Sequence, residues 1–268
     1  MKQPQTPKTS TKITTWPQFT ASIRSRGCQL LKRLDDFPNA VLVTGCQRSG
    51  TTMLARIITQ SEGMINYWFG PDDELDAALI LSGEVDAPTP GRYCFQTTYL
   101  DECYHEYYEH TGDYKIIWMI RNPYSVVYSL LYNWSPASLD GTFQKCAAQQ
   151  LTGADAYLYR LIGLQAVRRV RRACLLYKAK TRQLLELFQS LGSERILIVD
   201  YDELVTHKDQ VLPQIYNYID LDYNSGYSAQ IHSQSIDKKS QLSPKEKQQI
   251  HRIAEPLYKE ALMLKNSQ

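Results

Sequence analysis

Apolar residues in this chain fall into two patterns: short unbroken runs and longer stretches with helical spacing. The runs are Val41-Leu42-Val43, Ile116-Ile117-Trp118-Met119-Ile120 and Ile196-Leu197-Ile198-Val199. Continuous runs this short, rich in Val and Ile, predict strands covered on both faces, as in the middle of a parallel sheet. A further strand is predicted over 93–97. Residues 51–60 carry Met53, Leu54, Ile57 and Ile58 at helical spacing, and 17–34 reads as a helix leading into the first strand. The helical pattern over 154–192 is too long for one ordinary helix, so a break is expected near Gly163 or Lys180. Ser243-Pro244-Lys245-Glu246 is a capping box with proline in the first turn, and Pro256 kinks or divides the helix that follows. Residues 1–15 read as a flexible tail and 16–268 as a single domain. Alternating strands and helices predict an α/β fold of three layers with a mainly parallel central sheet.

Composition narrows the function classes. With 268 residues the chain can bury a full core. A net charge of +2 implies no strong field for nucleic acid. The five histidines show no metal-ligand spacing, and no metal is expected. Six scattered cysteines form no Cys-x-x-Cys pair, which suits reduced thiols in a cytoplasmic protein. No apolar run approaches the length of a membrane span. The cluster Arg168-Arg169-Val170-Arg171-Arg172 has apolar neighbours at helical spacing and reads as a solvated helix face. Tyr104, Tyr107 and Tyr108 read as core cover, with an acceptor pocket as the alternative.

The most informative stretch is Thr44-Gly45-Cys46-Gln47-Arg48-Ser49-Gly50-Thr51-Thr52, directly after the first strand. Gly45 and Gly50 have the separation of a nucleotide P-loop, and Thr52 holds its Ser/Thr place. The lysine place holds Thr51, and the loop's cation is Arg48. A strand, a glycine turn and a helix N-terminus direct free N–H donors and a positive helix end at one point, which attracts anions. The fold class is therefore a P-loop-type domain without the lysine that reaches the β- and γ-phosphates of ATP. Cys46 is read as a small filler, with a reactive thiol as the alternative.

A second constellation follows the central run: Arg121-Asn122-Pro123-Tyr124-Ser125, then Ser129. Arg121 stands at a strand's carboxyl end, where α/β sheets bind ligands. Asn122 caps the next helix, Pro123 suits its first turn, and Ser125 and Ser129 lie one turn apart on one face. Arg121 and Ser129 are thus joint candidates for a second anion.

Gln47-Arg48-Ser49-Gly50-Thr51-Thr52, with Ile120-Arg121-Asn122-Pro123 and Ser129, resembles the sulfotransferase family that uses 3′-phosphoadenosine 5′-phosphosulfate (PAPS). The Arg48 form resembles its tyrosylprotein, carbohydrate and diverse bacterial members. The resemblance is strong over 40–60 and 114–134 and weaker over 195–245. It implies that Gln47, Arg48, Ser49, Gly50, Thr51 and Thr52 hold the 5′-phosphosulfate and that Arg121 and Ser129 hold the 3′-phosphate. Lys238 and Lys239, in a polar late loop, are candidates to join the 3′-phosphate site. The implied reaction gives PAP and a sulfate ester of a hydroxyl-bearing acceptor of unknown class. Arg48 is assigned the charge that shifts onto the leaving phosphate.

The acceptor needs a general base. The resemblance points after the first helix, to Asp72-Asp73-Glu74, with Glu74 preferred and Asp72 and Asp73 as rivals. His105 is the remaining candidate, since Thr98 occupies the place of the small-molecule members' histidine. Two alternatives stand beside this reading. One is a P-loop kinase or NTPase using ATP and Mg, with Asp200 at the end of a late strand as metal ligand. The other is a noncatalytic PAP-binding protein.

Overall fold

The computed structural model describes residues 12–24, 27, 29–87, 89–231 and 237–268. Four strands, β1 (Ala40–Gly45), β2 (Cys94–Gln96), β3 (Tyr114–Ile120) and β4 (Ile196–Asp200), form one sheet in the order β2-β1-β3-β4. All pairings are parallel. The strands alternate their side chains between two layers, as a pleat with period two requires. Val41, Val43, Ile117, Met119 and Val199 enter one core, while Leu42, Ile116, Trp118, Ile120 and Ile198 enter the other. This is why each run is apolar throughout.

The helices are α1 (Trp16–Arg24), α2 (Thr51–Thr59), α3 (Asp73–Leu81), α4 (Pro123–Tyr132), α5 (Pro136–Thr142), α6 (Gly153–Ile162), α7 (Arg169–Arg195), α8 (Tyr201–Thr206), α9 (Lys208–Tyr218), α10 (Pro244–Ile253) and α11 (Glu255–Lys265). Helices α2, α8 and α9 cover the face reached by Val41 and Val43. Residues of α1, α3, α7 and α11 cover the opposite face. A further core joins α4, α5, α10 and the first half of α7.

Several expectations need adjustment. The helix expected over 17–34 is described only over Trp16–Arg24, and a short 3-10 turn at Leu34–Asp36 precedes β1. Most of the tail expected over 1–15 lies outside the described residues, though the N–H groups of Thr14 and Thr15 donate to Gln18 Oε1 at 2.9 and 3.1 Å. The long helical stretch breaks at Gly163 (φ +62), not at Lys180, which sits inside α7. Lys is a good helix former, so nothing at Lys180 ends the helix, and its buried ammonium bonds Asp101 and the Thr98 carbonyl. As expected, the capping box at Ser243 forms and the helix it starts is divided at the proline: α10 ends at Ile253, and Pro256 stands in the first turn of α11. Among the described residues, no helix is long and apolar enough to cross a membrane.

Parallel neighbours on both sides of β1 make its carboxyl end the point where the strand order turns back. The register sets Gly45 opposite Met119, so the loops after β1 and β3 emerge side by side.

Candidate functional site

The turn after β1 depends on its glycines. A Cβ on Gly45 (φ +148) would stand 2.4 Å from the carbonyl oxygen of Met119, and one on Gly50 (φ +93) would stand 2.2 Å from the Tyr201 ring. Only glycine permits both approaches. Arg48 itself takes a left-handed backbone, φ +73, an uncommon choice for a residue with a side chain. The turn delivers the chain to α2, whose first N–H groups have no carbonyl within the helix to bond.

Two segments meet at this point. Arg121 Nη1 donates to the carbonyl of Arg48 at 3.0 Å, and Arg48 Nε donates to Ser129 Oγ at 3.0 Å. The Arg121 guanidinium lies over the Tyr201 ring, 4.1 Å from its centre, and its Nε stands 3.9 Å from Asp202 Oδ1. Tyr177 donates to the Arg121 carbonyl at 2.8 Å and fixes the strand tip from behind. Asn122 caps α4 by accepting from the Tyr124 N–H at 3.0 Å. A cavity of about 220 Å³ results, lined by Arg48, Thr51, Thr52, Arg121, Ser129 and Lys238, with Ser125, Tyr128 and Asn133 completing its wall.

The charges of this cavity fit an anion. Burial lowers the pKa of both arginines from the usual guanidinium range, so both cations sit where water shields them less. No carboxylate pairs with Arg48 among the described residues. Ser49 Oγ is fully buried without a hydrogen-bond partner, and Ser49 is not among the residues that line this cavity.

Three residues expected in this cavity do not line it: Gln47, Ser49 and Lys239. Gln47 directs its amide to the Thr98 carbonyl at 3.2 Å and to Asp101 Oδ1 at 3.1 Å. Lys239 places its ammonium 4.5 Å from the centre of the Tyr124 ring. Adjacent residues on a loop point in different directions, and a motif's spacing does not say which of them faces the ligand. Residues 232–236, which include the first part of the late polar loop expected over 233–240, lie outside the described residues.

A second cavity of about 750 Å³ lies beside the first. Its wall includes Trp16, Tyr99 and Trp134, with Gln47, Asp72, Glu74, Asp101 and Lys145 as polar groups. Glu74 is partly exposed in its wall. Its Oε1 accepts from the Thr98 hydroxyl and its Oε2 accepts from Gln96 Nε2 at 3.0 Å. The same Gln96 amide reaches Thr51 Oγ1 at 3.4 Å, so one buried side chain touches a residue of each cavity. Burial pushes the Glu74 carboxyl up to about 8, while the Thr98 hydroxyl pulls the other way. A carboxyl poised there exchanges protons near neutral pH.

The other base candidates are placed differently. Asp73 is committed to Arg56, with Oδ1 to Nη2 at 2.8 Å. Asp72 caps α3, accepting from Glu74 N and Leu75 N, and also accepts from Trp16 Nε1 at 2.8 Å. His105 is exposed on the 3-10 segment Tyr104–Glu109 and lines neither cavity. Of the three neighbouring tyrosines, Tyr107 is core, while Tyr108 is exposed. Asp200 is taken by structure: Oδ1 caps α8 through Glu203 N at 3.0 Å and Oδ2 accepts from Tyr258 at 2.6 Å. Cys46 is buried filler, its thiol pushed up to about 12 by burial.

Sequence reasoning did not find the support behind Gln47 and Glu74. Lys180 Nζ pairs with Asp101 Oδ1 at 2.9 Å and donates to the Thr98 carbonyl at 3.0 Å. Burial alone would lower the lysine's pKa, but Asp101 raises it above the usual value. Gln183 Nε2 holds the Asp101 carbonyl at 2.7 Å. The available signal was the pair Lys180 and Gln183, polar residues one turn apart among apolar neighbours in α7.

A family model described as "Sulfotransferase family" matches residues 76–225, more than half of the chain, starting inside α3 and including Arg121 and Ser129. Among solved structures, the sulfotransferase of Alicyclobacillus acidocaldarius is similar at a TM-score of 0.51 and 15% identity, covering 85% of this chain and 96% of that one. The sulfotransferase domain from the curacin biosynthetic pathway is similar at 0.50 and 14%, covering 79% and 82%. These likenesses concern the fold. No curated protein matches the chain.

Proposed function

The chain belongs to the sulfotransferase family, and from that footing we propose that it moves a sulfuryl group from PAPS to the hydroxyl of an acceptor. The observation that carries this reading is the convergence of Arg48, Thr51, Thr52, Arg121 and Ser129 on one cavity at two neighbouring strand tips. When bound, PAPS supplies the sulfuryl group. The N–H groups and hydroxyls of Thr51 and Thr52 hold the 5′-phosphate against the start of α2. Arg121, Ser129 and Lys238 hold the 3′-phosphate. Arg48 stabilises the charge that builds on the leaving phosphate, and its fork is charged at every working pH. Glu74 accepts the proton of the acceptor hydroxyl, which enters from the larger cavity. Gln96 fixes the carboxylate relative to Thr51. Lys239 has no direct part, and Gln47 serves the acceptor side. The arginines supply the positive charge, so the reading requires no metal.

Free, buried thiols at five described positions support a reducing, cytoplasmic setting. The kinase reading loses its support, because Asp200 is engaged as a cap and by Tyr258 and Thr51 stands where lysine is required. The noncatalytic reading leaves the Glu74 carboxyl in the wall of the larger cavity without a use.

Thermal shift separates these readings. PAP without metal is expected to raise the melting temperature, and ATP with Mg is not. Transfer of labelled sulfate from PAPS to a panel of alcohols, sugars and peptides then tests catalysis. Stabilisation by ATP and Mg alone would overturn the reading.

A further inference from the structure

Helix α6 presents a surface that the transfer site does not use. It packs inward through Ala156 and Tyr159, with the Tyr159 ring 5.9 Å from that of Phe143. None of its residues is buried. At 100° per residue, Tyr157, Leu158, Leu161 and Ile162 form one continuous stripe on the opposite side. Their exposures are 64%, 43%, 62% and 53%. A surface helix ordinarily turns such a stripe toward the core; here it faces outward.

Several cations near α6 in sequence are already engaged: Lys180 is buried against Asp101, Arg171 pairs with Asp155 and Arg172 pairs with Asp140. Arg160, on α6 itself, and Arg168, at the start of α7, are exposed. Glycines with positive φ, Gly153 (+56) and Gly163 (+62), bound the helix, with open space around both.

We propose that α6 docks this protein onto an anionic lipid bilayer. The four apolar side chains enter the headgroup boundary, and Arg160 and Arg168 meet the lipid phosphates and carboxylates. A second copy is a poorer occupant: four side chains on a three-turn helix fall short of the roughly 800 Å² per partner that a stable interface buries. A nucleic acid would engage the arginines and leave the ridge in water.

The test is sedimentation of the full chain with vesicles of phosphatidylcholine alone and of phosphatidylcholine mixed with phosphatidylserine. Two arginines near an anionic surface are expected to favour the mixed vesicles by about 30-fold at low salt. The double variant Leu161→Asp, Ile162→Asp is expected to lose at least tenfold of that binding with an unchanged melting temperature, since both positions are exposed. Arg160→Glu with Arg168→Glu is expected to remove the preference for the mixed vesicles. Absence of vesicle binding, or equal binding by the double aspartate variant, would overturn the proposal. So would a dimer in analytical ultracentrifugation that the aspartates dissociate, or a stronger affinity for duplex DNA than for the mixed vesicles.

Discussion

The cavity around Arg48 is assembled from two short stretches, 48–52 and 121–133, with Lys238 added, while the cavity around Glu74 draws on 16–21, Gln47, 72–74, 99–101 and 134–145. The first stretches directly follow central strands, so sheet register alone brings them together. The second set meets only after α1, α3, α5 and the segment after β2 have packed around the sheet. Anion binding needs donors at strand tips, which local rules supply. An acceptor cavity needs a shape, which only tertiary packing supplies. The two regions should therefore fail differently when altered.

The sharpest separation is Arg48→Ala. It is expected to lower turnover by about 10³-fold, the scale of removing a charge that acts in the transition state, while PAP affinity falls by less than about tenfold because Arg121 and the loop remain. Turnover near that of the unaltered protein would break the assignment.

Lys180→Met comes next and acts on stability. It leaves Asp101 buried without its cation, and loss of one partner of a buried pair costs about 3–5 kcal/mol. Chemical denaturation should show that loss, with both cavities affected through folding rather than binding.

Glu74→Gln is expected to lower turnover by about 10²-fold, within the usual range for a general base. The pH profile sharpens the case. The carboxyl is raised from its usual 4.5 to about 8, so the base is mostly protonated at neutral pH. Activity should rise with pH and level off above about 8, and the glutamine variant should lack that limb. Stability carries the opposite sign. A raised carboxyl favours the fold in its protonated form, so its contribution is complete below 4.5 and is lost as pH rises through about 8. The glutamine variant should therefore lose less stability at alkaline pH.

His105→Ala marks the smallest effect. The imidazole is exposed outside both cavities, so rate and pH profile should change by less than about twofold. A loss comparable to that of Glu74→Gln would move the base to His105.

Strand runs, the glycine loop and the Arg121–Ser129 spacing were legible because each is a local pattern with one physical solution. Gly45 and Gly50 had to be glycine for contacts with Met119 and Tyr201, and the spacing alone reported the need. Less was legible where one backbone pattern permits two side-chain directions. Gln47 and Arg48 are neighbours, yet Gln47 lines the larger cavity and Arg48 the smaller one. Lys238 and Lys239 divide in the same way. Asp72, Asp73 and Glu74 were inseparable as an acidic turn. Arg56 and Trp16, distant in sequence, engage the first two. Lys180 reads as a surface break in a helical pattern because nothing near it in sequence reveals Asp101, its partner across the fold.

The central claim is that the nucleotide belongs to the Arg48 cavity and the proton transfer to the other. Calorimetric titration of PAP, without metal, into the unaltered protein, Arg121→Ala and Glu74→Gln tests it most directly. The expected result is one site per chain, weakened about 100-fold by Arg121→Ala, the scale of losing a charged bidentate donor, and unchanged within about twofold by Glu74→Gln. Equal affinity in Arg121→Ala, or a loss confined to Glu74→Gln, would contradict it.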